Sequence, residues 1–96
     1  MTRENVLRII AEHRQEISAR GVQSIAIFGS FARGEQGPDS DVDVLVEFSR
    51  PVGLFDFIRL KSFLEKILGR HVDLVTPDAL KTKFRDRILK EAVRAA

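Results

Sequence analysis

The run Asp41-Val42-Asp43-Val44-Leu45-Val46-Glu47-Phe48 alternates with a period of two, and no other stretch limits the possible folds so sharply. In an extended strand, successive side chains point to opposite faces. Val42, Val44, Val46 and Phe48 therefore share one wholly apolar face, while Asp41, Asp43, Leu45 and Glu47 share the other. A strand with one apolar face needs another layer to cover it, and the segments on either side have helical character.

From Thr2, an N-cap residue type, a helix is predicted to run to about Ala19, with Val6, Ile10, His13 and Ile17 at helical spacing and Gly21 as its stop. Gln23 to Phe28 reads as a short strand ending at Gly29-Ser30, residues 30–34 as one helical turn, and Glu35–Ser40 as a loop of turn formers. A second long helix is predicted over Leu54–Leu68, with Leu54, Phe57, Ile58, Leu64 and Leu68 facing inward and Gly69 as its stop. Val72–Val75 reads as a strand, and Thr76-Pro77-Asp78 opens further helix. The last helix is expected from about Arg85, burying Ile88, Leu89, Ala92 and Val93. Helices alternating with strands predict an α/β (α+β) fold: a small mixed β-sheet flanked by helices, as one domain over residues 1–96.

With no cysteine in the chain, disulfides, thiolate metal sites and cysteine nucleophiles are excluded together. His13 and His71 are too few for a histidine-rich metal site. No apolar run approaches the roughly 20 residues that cross a bilayer, and MTRENVLRII is charged and amphipathic, unlike a signal peptide. The expected location is the cytoplasm. Net charge is +2, but from Lys81 to Ala96 six basic residues stand against Asp86 and Glu91, a local balance of +4. This tail reads better as a solvated helix face than as a nucleic-acid surface. The seven phenylalanines, scattered at core-type positions, form no base-stacking platform either.

The chemistry-bearing pattern is Gly29-Ser30, ten intervening residues, then Asp41-Val42-Asp43. Aspartates at i and i+2 of a strand project from one face, about 6.6 Å apart along it. Carboxylates so close repel unless a cation lies between them, and hard oxygen donors suit Mg²⁺. Gly29 permits close backbone approach to a ligand, and Ser30 begins a turn whose N–H groups suit phosphate oxygens. Asp73 lies within the otherwise apolar His71-Val72-Asp73-Leu74-Val75. A charge facing the core there would be costly, so the strand is expected to lie beside the first and direct Asp73 to the same metals. Three carboxylates can hold two Mg²⁺ ions for in-line phosphoryl transfer. Arg33 reads equally as a triphosphate contact or as an exposed helix charge. Two other motifs fail: Val44 and Arg50 stand where an EF-hand loop needs Gly and Glu, and Gly29-Ser30 lacks the Gly-Lys-Ser/Thr of a P-loop.

GSFARGEQGPDSDVDVLVEF resembles the signature of the DNA polymerase β-like nucleotidyltransferase superfamily, and HVDLV resembles its third-carboxylate strand. The whole chain is similar to the minimal nucleotidyltransferases (MNT), small partners of HEPN proteins in prokaryotic toxin–antitoxin pairs. The resemblance implies a polymerase β-like palm core, a Gly-Ser motif at Gly29 and Ser30, and metal-binding carboxylates at Asp41 and Asp43. It also implies a third acid, Asp73, which helps activate the acceptor hydroxyl. The expected cofactor is two Mg²⁺ ions, the substrate ATP, and the partner a HEPN toxin that receives AMP on a tyrosine hydroxyl. This chain contains no tyrosine of its own. Leu54, Phe55 and Phe57 offer apolar surface for such a partner. The alternatives are an antitoxin that only binds and masks its toxin, which would not need three acids, and a small-molecule transferase, for which 96 residues look too few.

Overall fold

A computed structural model describes all 96 residues. The alternating run forms a strand over Val42–Phe48 (β2), with Asp41 just ahead of it. It is central in a four-stranded sheet with β1 (Val22–Phe28), β3 (Val72–Val75) and β4 (Val93–Arg94), in the order β3-β2-β1-β4. β1 runs antiparallel to β2 and to β4, whereas β2 and β3 are parallel, so the sheet is mixed, as expected. The parallel pair is joined by a helical crossover, α4 (Leu54–Leu68), which a parallel connection needs. The remaining helices are α1 (Arg3–Glu12), α2 (Arg14–Ala19), α3 (Gly29–Arg33) and α5 (Thr82–Glu91), with a 3₁₀ turn over Pro77–Ala79. No helix is long and apolar enough to cross a membrane.

One cluster of 16 buried residues joins these elements: Val42, Val44 and Val46 of β2 meet Val6 and Ile10 of α1, Phe31 of α3 and Leu60, Leu64 and Leu68 of α4. On β1 the core face is Val22, Ile25 and Ile27. A register irregularity between Val22 and Ser24 changes the parity, so an even and two odd positions share one face. No charged side chain is buried.

The first helix departs from expectation by breaking at His13, where φ is −109° and ψ 16°. The His13 ring nitrogen Nδ1 lies 2.8 Å from the Ile9 carbonyl oxygen, the acceptor its own backbone N–H would use in an unbroken helix. That N–H turns to Ile10 O instead, at 3.1 Å. The start is as read: the Thr2 side chain accepts from Asn5 N in a capping box.

Two further expectations are corrected. On α4, Leu54 and Ile58 are 70% and 46% exposed, because the inward stripe is Leu60, Leu64 and Leu68, extended by Phe57. The last helix begins at Thr82, buries none of its residues and ends at Glu91; Ile88 is only half-buried and Leu89 is exposed. Ala92 and Val93 are not helical: Ala92 is extended, and Val93–Arg94 form β4. The free edge of β1 is an unpaired row of donors and acceptors, and pairing with it outweighs another helical turn. Ala95 N donates to Ile25 O at 2.8 Å, continuing the contact.

Phe31 is fully buried and belongs to the main core cluster. Phe31→Ala should cost about 3–5 kcal/mol, read as a lower urea midpoint with an unchanged slope. A loss below about 1 kcal/mol would show that Phe31 is not part of the main core.

Candidate active site

The sheet register brings separated sequence segments to one end of the molecule. Asp43 of β2 is paired directly with Asp73 of β3. In-register residues of neighbouring strands project from the same face about 4.8 Å apart, so the third carboxylate stands beside the second. Asp41 precedes Asp43 by two residues at the mouth of β2. On the other side Asp43 is opposite Phe28, the last residue of β1, so the turn that follows β1 arrives at the same end. That turn is Gly29-Ser30, which opens α3.

Gly29 has a φ of +72°, a conformation that disfavours other residues. It is also wedged against Asp43: a Cβ here would collide with Asp43 Oδ2. The backbone conformation favours glycine here, and a larger residue would also have to displace the Asp43 carboxylate. Ser30 is half-buried in the first turn of α3, and Gly34, left-handed at φ +72°, ends that helix.

Asp43 is half-buried, and its pKa is pushed up to about 6. Burial is the main cause, followed by the charges of Asp73 and then Asp41; Arg33 pulls the other way. Asp41 and Asp73 are exposed, so Asp73 avoids the cost of a core-facing charge. No three acid or histidine side chains are drawn together into a ready-made ion cage. The donor set itself, all carboxylate oxygens on one sheet face, fits a hard divalent cation.

Arg33 is an exposed charge at the end of α3, as one of the two readings expected, and is tied down by two carboxylates. Its Nε donates to Glu35 at 2.9 Å and its Nη1 to Glu91 at 3.1 Å, with 41% of the side chain exposed. Glu91, which the sequence reading did not single out, also accepts from Gly29 N at 3.0 Å. Burial pushes the Glu91 carboxyl up, but the Gly29 N–H and Arg33 outweigh it and hold the group below the usual carboxylate range. The one available signal was that Glu91 is among only two acids in the basic tail. Arg70 was missed as well: its Nη1 donates to Pro38 O and Ser40 O, both at 3.1 Å, and its guanidinium lies 5.5 Å from the Phe31 ring centroid. It thereby fixes the loop that delivers Asp41. Beside the Gly29 turn lies a cleft of about 240 Å³, bordered by Phe28, Arg33, Phe84, Arg87, Ile88 and Glu91.

This arrangement of β1, β2 and β3 is that of a nucleotidyltransferase core. The chain belongs to the nucleotidyltransferase domain family, whose profile matches residues 7–95. It is 43% identical over 94 residues to the protein adenylyltransferase MntA of Thermococcus cleftensis, covering 97% of this chain and 95% of that protein. A solved structure provisionally described as a minimal nucleotidyltransferase superposes with a TM-score of 0.82 at 39% identity, covering 97% of this chain and 95% of the other. Likeness in fold extends to a toxin–antitoxin crystal structure with AMP-PNP, at a TM-score of 0.72 and 22% identity, covering 100% of this chain and 73% of that one.

The raised pKa of Asp43 carries a stability consequence for the metal-free protein. A carboxyl whose folded pKa lies above its unfolded value of 3.8 favours folding in its protonated form. That contribution is present below about pH 4 and is lost as pH rises through about 6. Asp43→Asn should therefore stabilise the fold above pH 6 by about 1 kcal/mol, after discounting for solvent screening. The gain should shrink towards zero near pH 4. Thermal melts of both proteins in chelator across this range check it; a pH-independent difference would refute the coupling.

Proposed function

We propose that this chain is an antitoxin-type protein adenylyltransferase that moves AMP from ATP to a hydroxyl, that of a tyrosine, on a partner HEPN toxin. The observation that carries the reading is the register of β2 and β3, which sets Asp73 beside Asp43 while Gly29 closes on Asp43 from the other side. Asp41, Asp43 and Asp73 would hold two Mg²⁺ ions. Bound magnesium would lower the pKa of the acceptor hydroxyl and neutralise charge on the triphosphate.

The chain's own residues do the positioning. Gly29 lets the triphosphate approach the backbone, Ser30 offers its N–H and hydroxyl to β/γ-phosphate oxygens, and Arg33 borders the same turn with a permanent positive charge. Asp73, exposed beside Asp43, receives the acceptor's proton. The acceptor oxygen bonds to the α-phosphorus, the bond from that phosphorus to its bridging oxygen breaks, and pyrophosphate leaves with the electron pair. Rate enhancement then comes from alignment and fixed charge.

A second chain as acceptor is supported by the absence of tyrosine here and by the apolar surface of α4, where Leu54 and Phe55 are 70% and 73% exposed. The relative MntA is named a protein adenylyltransferase, and a chain of the same fold, at a TM-score of 0.66 and 17% identity, occurs in a structure of a tri-AMPylated Shewanella oneidensis HEPN toxin in complex with MNT antitoxin.

Incubation with ATP, Mg²⁺ and the protein encoded by the neighbouring gene should raise that protein's mass by one or more AMP groups. Asp43→Asn and Asp73→Asn should each slow the transfer at least about a hundredfold, as expected for loss of a group that organises transition-state charge. Neutralisation of the toxin with no AMP added, and unchanged by Asp43→Asn, would leave masking by binding as the function.

A further inference from the structure

We infer that Glu91 is a positioning residue that holds the Gly29 turn against Asp43, an inference that rests on the nucleotidyl-transfer reading of this site. Gly29 is buried, and a buried backbone N–H needs an acceptor within the protein. Glu91 Oε1 provides it from 62 residues away along the chain, at 3.0 Å. The edge strand explains the reach. β4 pairs Val93 with Ile27 and Arg94 with Ala26, which brings the end of α5, where Glu91 lies, beside the end of β1 and the Gly29 turn that follows it. The C-terminal strand thereby aims a carboxylate at the turn.

Two contacts carry the effect onward. Gly29 has no room for a Cβ because Asp43 Oδ2 is there, so a shift of the turn is transmitted directly to Asp43. The Glu91 carboxylate also takes Arg33 Nη1, at 3.1 and 3.3 Å to its two oxygens, while Glu35 holds Arg33 Nε. The guanidinium is thus pinned at two donors, with Nη2 outside both contacts. Glu91 is not carried passively by a packed helix. Glu91 is half-buried, whereas Phe84 and Leu89 of the same helix are exposed. Within α5 only Ile88 and Glu91 are half-buried, so the carboxylate is one of the helix's two attachments to the rest of the molecule.

Calorimetric titration with the non-hydrolysable analogue AMP-PNP, in Mg²⁺ and in EDTA, tests this on the wild-type chain, Glu91→Ala and Glu91→Gln. Glu91→Ala should weaken binding about tenfold in Mg²⁺, the scale of one lost charge-assisted hydrogen bond. The loss should be much smaller in EDTA, because it is routed through Asp43. Glu91→Gln retains an acceptor for the Gly29 N–H and should stay within about threefold of wild type. Equal weakening in both media without rescue by glutamine would assign Glu91 a purely structural role in α5 and overturn the inference. Tighter binding by both variants would also overturn it, as expected of a carboxylate that merely occupies a phosphate's place. Wild-type binding with unchanged variants defeats this inference alone, whereas no binding by wild type defeats the nucleotidyl-transfer reading and the inference together. If Glu91→Ala fails to fold, hydrogen exchange at the Gly29 amide decides the matter: protection is expected in wild type and Glu91→Gln, and rapid exchange in wild type would overturn it.

Discussion

Repulsion among carboxylates gathered at one end of the sheet is the constraint that the rest of the structure must withstand. Asp43 and Asp73 are register partners on adjacent strands, with Asp41 two residues away. Like charges directly opposite one another in a sheet are destabilising. The opposite face of the same strands supplies the restraint: Val42, Val44 and Val46 on β2 with Val72 and Leu74 on β3 belong to one buried cluster. Slipping the register by one residue would separate the acids but turn that apolar face to water. Burial therefore dictates the placement of charges that would otherwise move apart.

The legible parts of the chain were those written in local patterns. β2 could be read because its period of two is unbroken and its two aspartates share a parity. α3 and α4 end where Gly34 and Gly69, both left-handed, make helix continuation unfavourable. Asp73 could be placed because a charge inside an apolar strand needs a destination. The inward face of α4 was not legible in full, because its first turns carry two apolar stripes. Leu54 and Ile58 compete with Phe57 and Leu60, and only the position of the sheet selects between them.

The rest depended on distance along the chain. Two residues of β4 are too few to display a period, and they pair only because the β1 edge is there to be completed. Glu91 looks like any helical surface acid until it is seen accepting the Gly29 N–H. Arg70 reads as one more basic residue until its guanidinium is seen bridging the carbonyls of Pro38 and Ser40. In each case the partner lies dozens of residues away, so spacing rules carry no information about it.

The raised pKa of Asp43 also bears on how a cation would be taken up. At a pH near 6 about half of the Asp43 carboxyls carry a proton, and a carboxylate must be deprotonated before it can coordinate. Filling the site would then expel protons into the medium, and its apparent strength would decline on acidification. That acid sensitivity originates first in the partial burial of Asp43 and second in the neighbouring charges of Asp73 and Asp41, and would be seen whichever hard divalent ion was offered.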